Sequence, residues 1–110
     1  MNLEMFRGTS ETFGFRVTDE DGEPYTLASG EALVFGIKHK PYQKDADVVK
    51  RVTTGTDGVY PVTLEPNDTI NLKYGDYIYN VNIQSGNNFF PVVDGKFKIK
   101  ANATKWGDGS

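Results

Sequence analysis

The chain has 110 residues, a net charge of −3 and no cysteine. This length suits one β-sandwich domain, and the lack of thiols excludes disulfide bonds and thiolate metal ligands. Twelve basic residues are scattered among 15 acidic ones, which argues against a nucleic-acid partner, because such binding needs clustered Lys and Arg.

Alternating apolar residues predict three strands in the first forty residues, at 3–7, 13–18 and 33–39. The acidic stretch 19–23 predicts a turn in which Gly22 adopts positive φ. Residues 24–30 predict an irregular crossing segment, anchored by Tyr25 and Leu27. A polar loop follows at 41–47.

A weaker alternation predicts a fourth strand at 48–54, at a sheet edge where its charges discourage pairing. Asp57 and Gly58 predict a hairpin turn that leads into a strand at 60–64. Pro61 in that strand cannot donate a ladder hydrogen bond, which favours an edge strand or a bulge.

Pro66 predicts the start of a single helical turn, since proline suits the first helical position. Asp68 supports this start, because an acidic side chain is favourable near the positive end of a helix. The clearest strand follows at 77–84. Tyr77, Tyr79, Val81 and Ile83 share one face of it, and Ile78, Asn80, Asn82 and Gln84 share the other.

Two final strands are predicted at 89–93 and 96–100, separated by a second Asp-Gly turn signal at 94–95. The pattern therefore predicts an all-β, antiparallel β-sandwich of seven or eight short strands with one single-turn helix. We expect one domain over residues 1–101 and a polar tail over 102–110, which contains the only tryptophan, Trp106.

Three segments carry a family resemblance, at 13–27, at 58–69 with 72–83, and at 93–99. The first combines a strand, an acidic turn and a Pro-Tyr-x-Leu crossing. Together they resemble the immunoglobulin-like β-sandwich domains of phage and prophage virion proteins, and are similar to the N-terminal domain of siphophage baseplate upper proteins. The sequence departs from that family at Glu65, where Thr or Ser usually caps the helix, so we expect a weaker cap.

The resemblance implies a non-enzymatic structural or adaptor protein of a phage tail, baseplate or neck. Its partners would be other virion proteins or further copies of the chain, with no nucleic acid, membrane or cofactor. Its location would be the virion, and the host cytoplasm during assembly. The absence of a signal-peptide-like apolar run near the first residues agrees with this expectation.

Tyr77 lies where immunoglobulin-like sandwiches place a corner tyrosine that bonds back to the upstream backbone. We interpret it as structural. His39, the only histidine, would need a neighbouring nucleophile or carboxylate to act in catalysis, and we interpret it as a bystander. The acidic stretch 19–23, even with Asp45 and Asp47 brought near, is interpreted as a solvated turn rather than a calcium site.

The aromatic residues give the best candidates for partner contact. Phe13, Phe15, Phe35, Tyr79 and Phe97 fall on inward phases and are interpreted as core. Phe89 and Phe90 are adjacent, so a regular strand cannot bury both on one side. The candidate contact residues are Tyr42, Phe89, Phe90 and Trp106. The alternative is a carbohydrate-binding module of a host-recognition apparatus, in which exposed aromatic rings stack on sugars.

Overall fold

The computed structural model describes residues 2–101, which form seven strands and one helical turn. In chain order these elements are β1 (Asn2–Phe6), β2 (Glu11–Arg16), β3 (Glu31–Lys38), β4 (Val48–Val52), β5 (Val59–Leu64), α1 (Pro66–Thr69), β6 (Gly75–Ser85) and β7 (Asn88–Lys100). The predicted all-β class and the single helical turn are confirmed.

The strands form a five-stranded sheet in the order β1-β7-β6-β3-β4 and a two-stranded sheet of β2 and β5. In the immunoglobulin-like sandwich, strands C, F and G face strands B and E. Here β3, β6 and β7 face β2 and β5 in the same way, with β4 added beside β3 and β1 beside β7.

The sheet is not wholly antiparallel, which corrects the sequence prediction. β1 runs parallel to β7, with Asn2 opposite Lys96 and Phe6 opposite Lys100. All the other strand pairs are antiparallel. A parallel pair needs a long connection, and almost the whole domain separates these two strands.

The core lies between the two sheets and is centred on aromatic rings. The ring of Phe35, which is completely buried, lies 5.7 Å from that of Phe15 in the opposite sheet and 5.8 Å from that of Tyr79. Phe97 is also buried, and the partly buried ring of Phe13 meets it edge-on at 5.8 Å. The inward phases read from the sequence are therefore correct.

The crossing segment is anchored from the second sheet as predicted. The Tyr60 hydroxyl accepts a hydrogen bond from the Leu27 amide at 2.9 Å and donates one to the Tyr25 carbonyl at 2.7 Å. These two hydrogen bonds hold the segment beside the start of β5.

The Asp57-Gly58 turn forms, but the predicted hairpin does not. Asp57 and Gly58 have φ of 51° and 80°, and the backbones of Thr56 and Val59 bond to each other at 3.0 and 2.9 Å. The strands on either side nevertheless belong to different sheets. Turn chemistry is local, whereas β5 pairs with β2, as an edge strand that tolerates Pro61.

The second Asp-Gly signal is not a turn at all, which corrects the prediction of two final strands. β7 continues unbroken through Asp94 and Gly95, which lie opposite Asn80 and Tyr79 of β6. The long antiparallel ladder with β6 overrides the local signal. The only irregularity is a bulge at Val92, which is passed over between the pairs Asn82–Pro91 and Val81–Val93.

The corner between β5 and β6 contains α1 and a tyrosine bond. Asp68 compensates for the weak cap at Glu65, because its carboxylate accepts the Glu65 amide at 2.7 Å and pairs with Lys50 of β4 at 2.8 Å. The Tyr77 hydroxyl donates to the carbonyl of Lys73 at 2.8 Å. The predicted corner tyrosine bond is therefore confirmed.

The sandwich has two ends, which we name by the elements that lie there. We call the end with the β6–β7 loop the hairpin end; the start of β3 also lies there, since Glu31 is opposite Ser85. We call the other end the corner end; it contains the 39–47 loop, the corner at 71–74 and Lys100.

Candidate interaction surfaces

Phe89 and Phe90 lie on opposite faces of the five-stranded sheet at the hairpin end. Phe90 is opposite the core residue Ile83, and Phe89 is opposite Gln84 of the outer face. Their exposed fractions are 57% for Phe89 and 53% for Phe90. Both rings are therefore available for contact, one on each face.

Phe90 borders an open cleft of about 460 Å³ between the sheets. The floor of this cleft is apolar and one side is acidic. Its lining residues are Val17, Thr18, Asp19, Glu20, Tyr25, Glu31, Ile83 and Phe90. On the other side of the ring a smaller cleft of about 290 Å³ reaches Arg16, Pro91 and Val92. We call the larger of the two the Phe90 cleft.

The cleft exists because the second sheet is short. β2 ends at Arg16, so the inner face of the larger sheet continues beyond it and is covered only by residues 17–20 and the crossing segment. That segment is fixed by Glu31, whose carboxylate accepts the Tyr25 hydroxyl and the Ala28 amide, each at 2.8 Å.

These two hydrogen bonds also shift the pKa values of Glu31 and Tyr25. The bond from the Ala28 amide, followed by that from Tyr25, lowers the pKa of the Glu31 carboxyl. The bond to Glu31 raises the pKa of the Tyr25 hydroxyl. The Glu31 carboxylate is therefore charged at neutral pH and holds one wall of the cleft in place.

The acidic stretch beside the cleft is a hydrogen-bonded turn. The Asp19 carboxylate accepts the amides of Asp21 and Glu23, each at 2.9 Å. Asp47, a possible companion of this stretch by sequence, bonds His39 at the other end of the molecule. Within residues 2–101 no group of three or more His, Asp or Glu is arranged to hold a metal ion.

β7 has an unpaired edge next to Phe90. β1 covers β7 only from Lys96 to Lys100, so no described strand pairs with the outer side of 88–95. The loop before it is a two-residue hairpin turn, with Ser85 opposite Asn88 and Gly86 at φ 61°, a conformation that glycine readily adopts. Hydrogen-bonding direction alternates along an antiparallel strand, so the backbone nitrogen of Pro91 faces this open edge.

An open edge with few amide donors is poorly suited to strand addition. Proline has no N–H to donate, and bulges disturb the ladder that an added strand would extend. Pro91 and the bulge at Val92 therefore make this edge a poor site for an added strand. Side-chain contacts at the Phe90 cleft are better supported there than backbone pairing.

Tyr42 lies away from the two phenylalanines. Tyr42 is 80% exposed in the loop after β3, at the corner end. Trp106 falls outside the described residues. Tyr42 and the Phe89–Phe90 pair are at opposite ends of the sheet, so these three predicted contact residues do not form one continuous surface.

The corner end carries an apolar patch that the sequence analysis missed. Phe6, Ile70 and Tyr74 are 40%, 46% and 52% exposed. The Arg7 guanidinium lies 4.3 Å from the centre of the Tyr74 ring, and the Lys100 ammonium 4.5 Å from that of Phe6. The exposure of Phe6 could have been predicted, because side chains alternate between the two faces of a strand and Phe6 directly follows the inward-facing Met5.

His39 lines a polar cleft of about 470 Å³ at the corner end. Its Nδ1 lies 3.0 Å from an Asp47 oxygen, and the Gln43 side-chain amide donates to the other Asp47 oxygen at 3.0 Å. The Gln43 carbonyl oxygen accepts the His39 amide at 3.2 Å. This closed set of bonds ties the loop together, and the described lining includes no Ser, Thr or Cys side chain.

Within the described range, no helix has the length and apolar character needed to cross a bilayer. The chain matches no protein-family model and no curated protein.

Proposed function

We propose that this protein is a non-enzymatic structural or adaptor component of a phage or prophage virion, in the tail, baseplate or neck. It acts through contacts with other virion proteins or with copies of itself. The observation that carries the proposal is the exposed Phe89–Phe90 pair, which presents one aromatic ring on each face of a sheet at the hairpin end of the sandwich.

Exposed aromatic rings beside a cleft are typical of protein contact sites. Aromatic residues are enriched in the buried centres of interfaces, where few side chains account for most of the binding energy. The corner bond of Tyr77 and the C, F and G arrangement of β3, β6 and β7 add support, since they agree with the resemblance to virion sandwich domains.

The geometry favours a protein partner over a sugar. A sugar platform needs two or more coplanar exposed rings, but Phe89 and Phe90 lie on opposite faces. Tyr42 is at the other end of the molecule. A glycan array with several strong ligands for the purified chain would reverse this preference.

The test is the composition of the particle. Virions from a phage or induced prophage that encodes this chain are purified by density gradient, washed in high salt and quantified by mass spectrometry. We expect a fixed copy number per particle, close to a multiple of a symmetric ring. Abundance in the infected cell with absence from washed particles would contradict the proposal.

A further inference from the structure

We propose that the Phe90 cleft binds residues 102–110 of a second copy of this chain. Trp106 would lie on the apolar floor of the cleft, and Lys105 would face its acidic side. This inference rests on the proposed structural role, because it names a second copy as the partner of the Phe90 surface.

The chemistry of the cleft matches one large apolar side chain flanked by a cation. Its volume of about 460 Å³ lies within the range of sites that hold small ligands. Asp19, Glu20 and Glu31 contribute carboxylates to the lining, while the floor residues are Val17, Tyr25, Ile83 and Phe90.

The segment 102–110 supplies that combination. Trp106 is the only tryptophan of the chain and follows Lys105 directly. Tryptophan, with tyrosine and arginine, is enriched among the dominant contacts of protein interfaces. A lysine beside it complements the carboxylates of the cleft.

A chain cannot place Trp106 in its own cleft. Phe90 lies ten residues before Lys100 along β7, which separates them by roughly 30 Å at about 3.3 Å per residue. Trp106 is six residues beyond Lys100, a reach of about 21 Å when fully extended. The segment would also have to reverse direction, so the cleft it reaches belongs to another copy.

The contact therefore joins the corner end of one copy to the hairpin end of the next. Such a head-to-tail contact is heterologous, and repeated contacts of this kind generate closed rings or open filaments. Both outcomes suit a component of a symmetric assembly.

The single tryptophan permits a direct test. Sedimentation velocity and Trp106 fluorescence are measured on the full chain over a wide concentration range. We expect oligomers to appear together with a shift of the emission to shorter wavelength. Trp106→Ala and Phe90→Ser should each weaken association more than tenfold, whereas Phe89→Ser, an equally exposed ring on the opposite face, should leave it unchanged.

Mixing the two variants distinguishes docking in a second copy from other contacts. Trp106→Ala retains the cleft, and Phe90→Ser retains the tryptophan. Each variant alone should be monomeric, while an equimolar mixture should form dimers and nothing larger. A mixture that stays monomeric would overturn the proposal.

Charge provides an independent readout. Lys105→Glu should weaken association about two- to fivefold at low salt, which is the range for exposed ion pairs, and the difference should shrink as salt rises. Lys98→Glu, on the exposed outer face of β7, is the matched control. Equal effects of the two substitutions would contradict the assignment of Lys105.

The docking of residues 102–110 and the role in a virion can be disproved independently. A wild-type chain that is monomeric at every concentration, or oligomers that persist in Trp106→Ala, would overturn the docking but leave the virion role intact if the protein is found in particles. Concentration-dependent docking by a protein absent from particles would preserve the inference and remove the virion role.

Discussion

At the scale of single residues, backbone conformation decides which positions of this chain accept no substitute. Gly58 has φ of 80°, and a Cβ there would lie 2.8 Å from the Val17 carbonyl oxygen and 3.0 Å from the Pro24 Cα. Gly22 has nearly the same φ, 82°, but an added Cβ would meet nothing within 4 Å. The two glycines therefore separate backbone strain from steric conflict.

Gly58→Ala should destabilise the fold more than Gly22→Ala. Left-handed backbone costs an alanine about 1–2 kcal/mol at either position, and the contact with the rigid backbone of Val17 should add about 1–3 kcal/mol at Gly58. Urea unfolding of both variants measures the difference. Equal losses would show that the backbone near Val17 moves aside.

The corner hydrogen bond is a second feature of residue scale. Tyr77→Phe removes only the hydroxyl that bonds the Lys73 carbonyl, so we expect a loss of about 1 kcal/mol in the free energy of unfolding. Tyr42→Phe, at a ring that is 80% exposed, should change stability by less than about 0.5 kcal/mol. A Tyr77 variant as stable as the wild type would argue against the corner bond.

At the scale of elements, the long antiparallel ladder of β6 and β7 overrides one of the two local turn signals. Asp57-Gly58 and Asp94-Gly95 are the same dipeptide, yet the first makes a tight turn and the second lies inside β7. Opposite the second, β6 supplies a continuous partner, and interrupting β7 there would leave its backbone groups unpaired. A dipeptide signal is decisive only where no neighbouring strand competes for the same backbone.

The crossing segment between β2 and β3 should carry a pH dependence. The pKa of Glu31 is lowered in the folded chain from its ordinary value of 4.5, so its bonds to Ala28 and Tyr25 stabilise the fold above that pH. This contribution is lost as the pH falls through the lowered value. Wild type should exceed Glu31→Gln in stability at neutral pH, and the gap should narrow as the pH falls below 4.5.

Thermal unfolding of both proteins between pH 7 and pH 3 checks this expectation. Glu20→Gln serves as the control, because no described hydrogen bond involves the Glu20 carboxylate. A gap between wild type and Glu31→Gln that persists at pH 3 would show that the carboxylate acts through packing rather than through its charged hydrogen bonds.

At the scale of the whole molecule, the two sheets hold together through aromatic rings that cross between them. Phe35 of β3 contacts Phe15 of β2 as well as Tyr79 and Phe97 within its own sheet. The larger sheet extends past the smaller one, which leaves Phe90 half exposed at the hairpin end. The core therefore lies where the two sheets overlap, and the open cleft lies where the larger sheet extends beyond the smaller one.

Removing a central ring should therefore affect the entire domain. Phe35→Ala should cost about 3–5 kcal/mol, a large share of the 5–15 kcal/mol typical of a domain. Phe89→Ala should cost no more than about 0.5 kcal/mol, because its ring is 57% exposed. Urea denaturation gives both values, and similar costs would contradict the core described here.

Much of the fold could be predicted from alternation along the chain. The inward phases of Phe15, Phe35 and Tyr79, the turn at Asp57-Gly58 and the helix start at Pro66 all follow from rules that involve a few neighbouring residues. The candidate surfaces could be predicted only in part. Phe89 and Phe90 were identified, and their adjacency predicted that they do not both face inward, but the cleft beside Phe90 was not predicted.

The sequence by itself determined the strand content, the core face of each strand and the corner tyrosine, because burial pattern and turn chemistry are local properties. Only the tertiary structure decided that β1 joins β7 in parallel, that β4 and β5 separate into different sheets, and that His39 meets Asp47. These outcomes depend on which distant segments compete for the same backbone partners, and that competition is settled when the two sheets pack together.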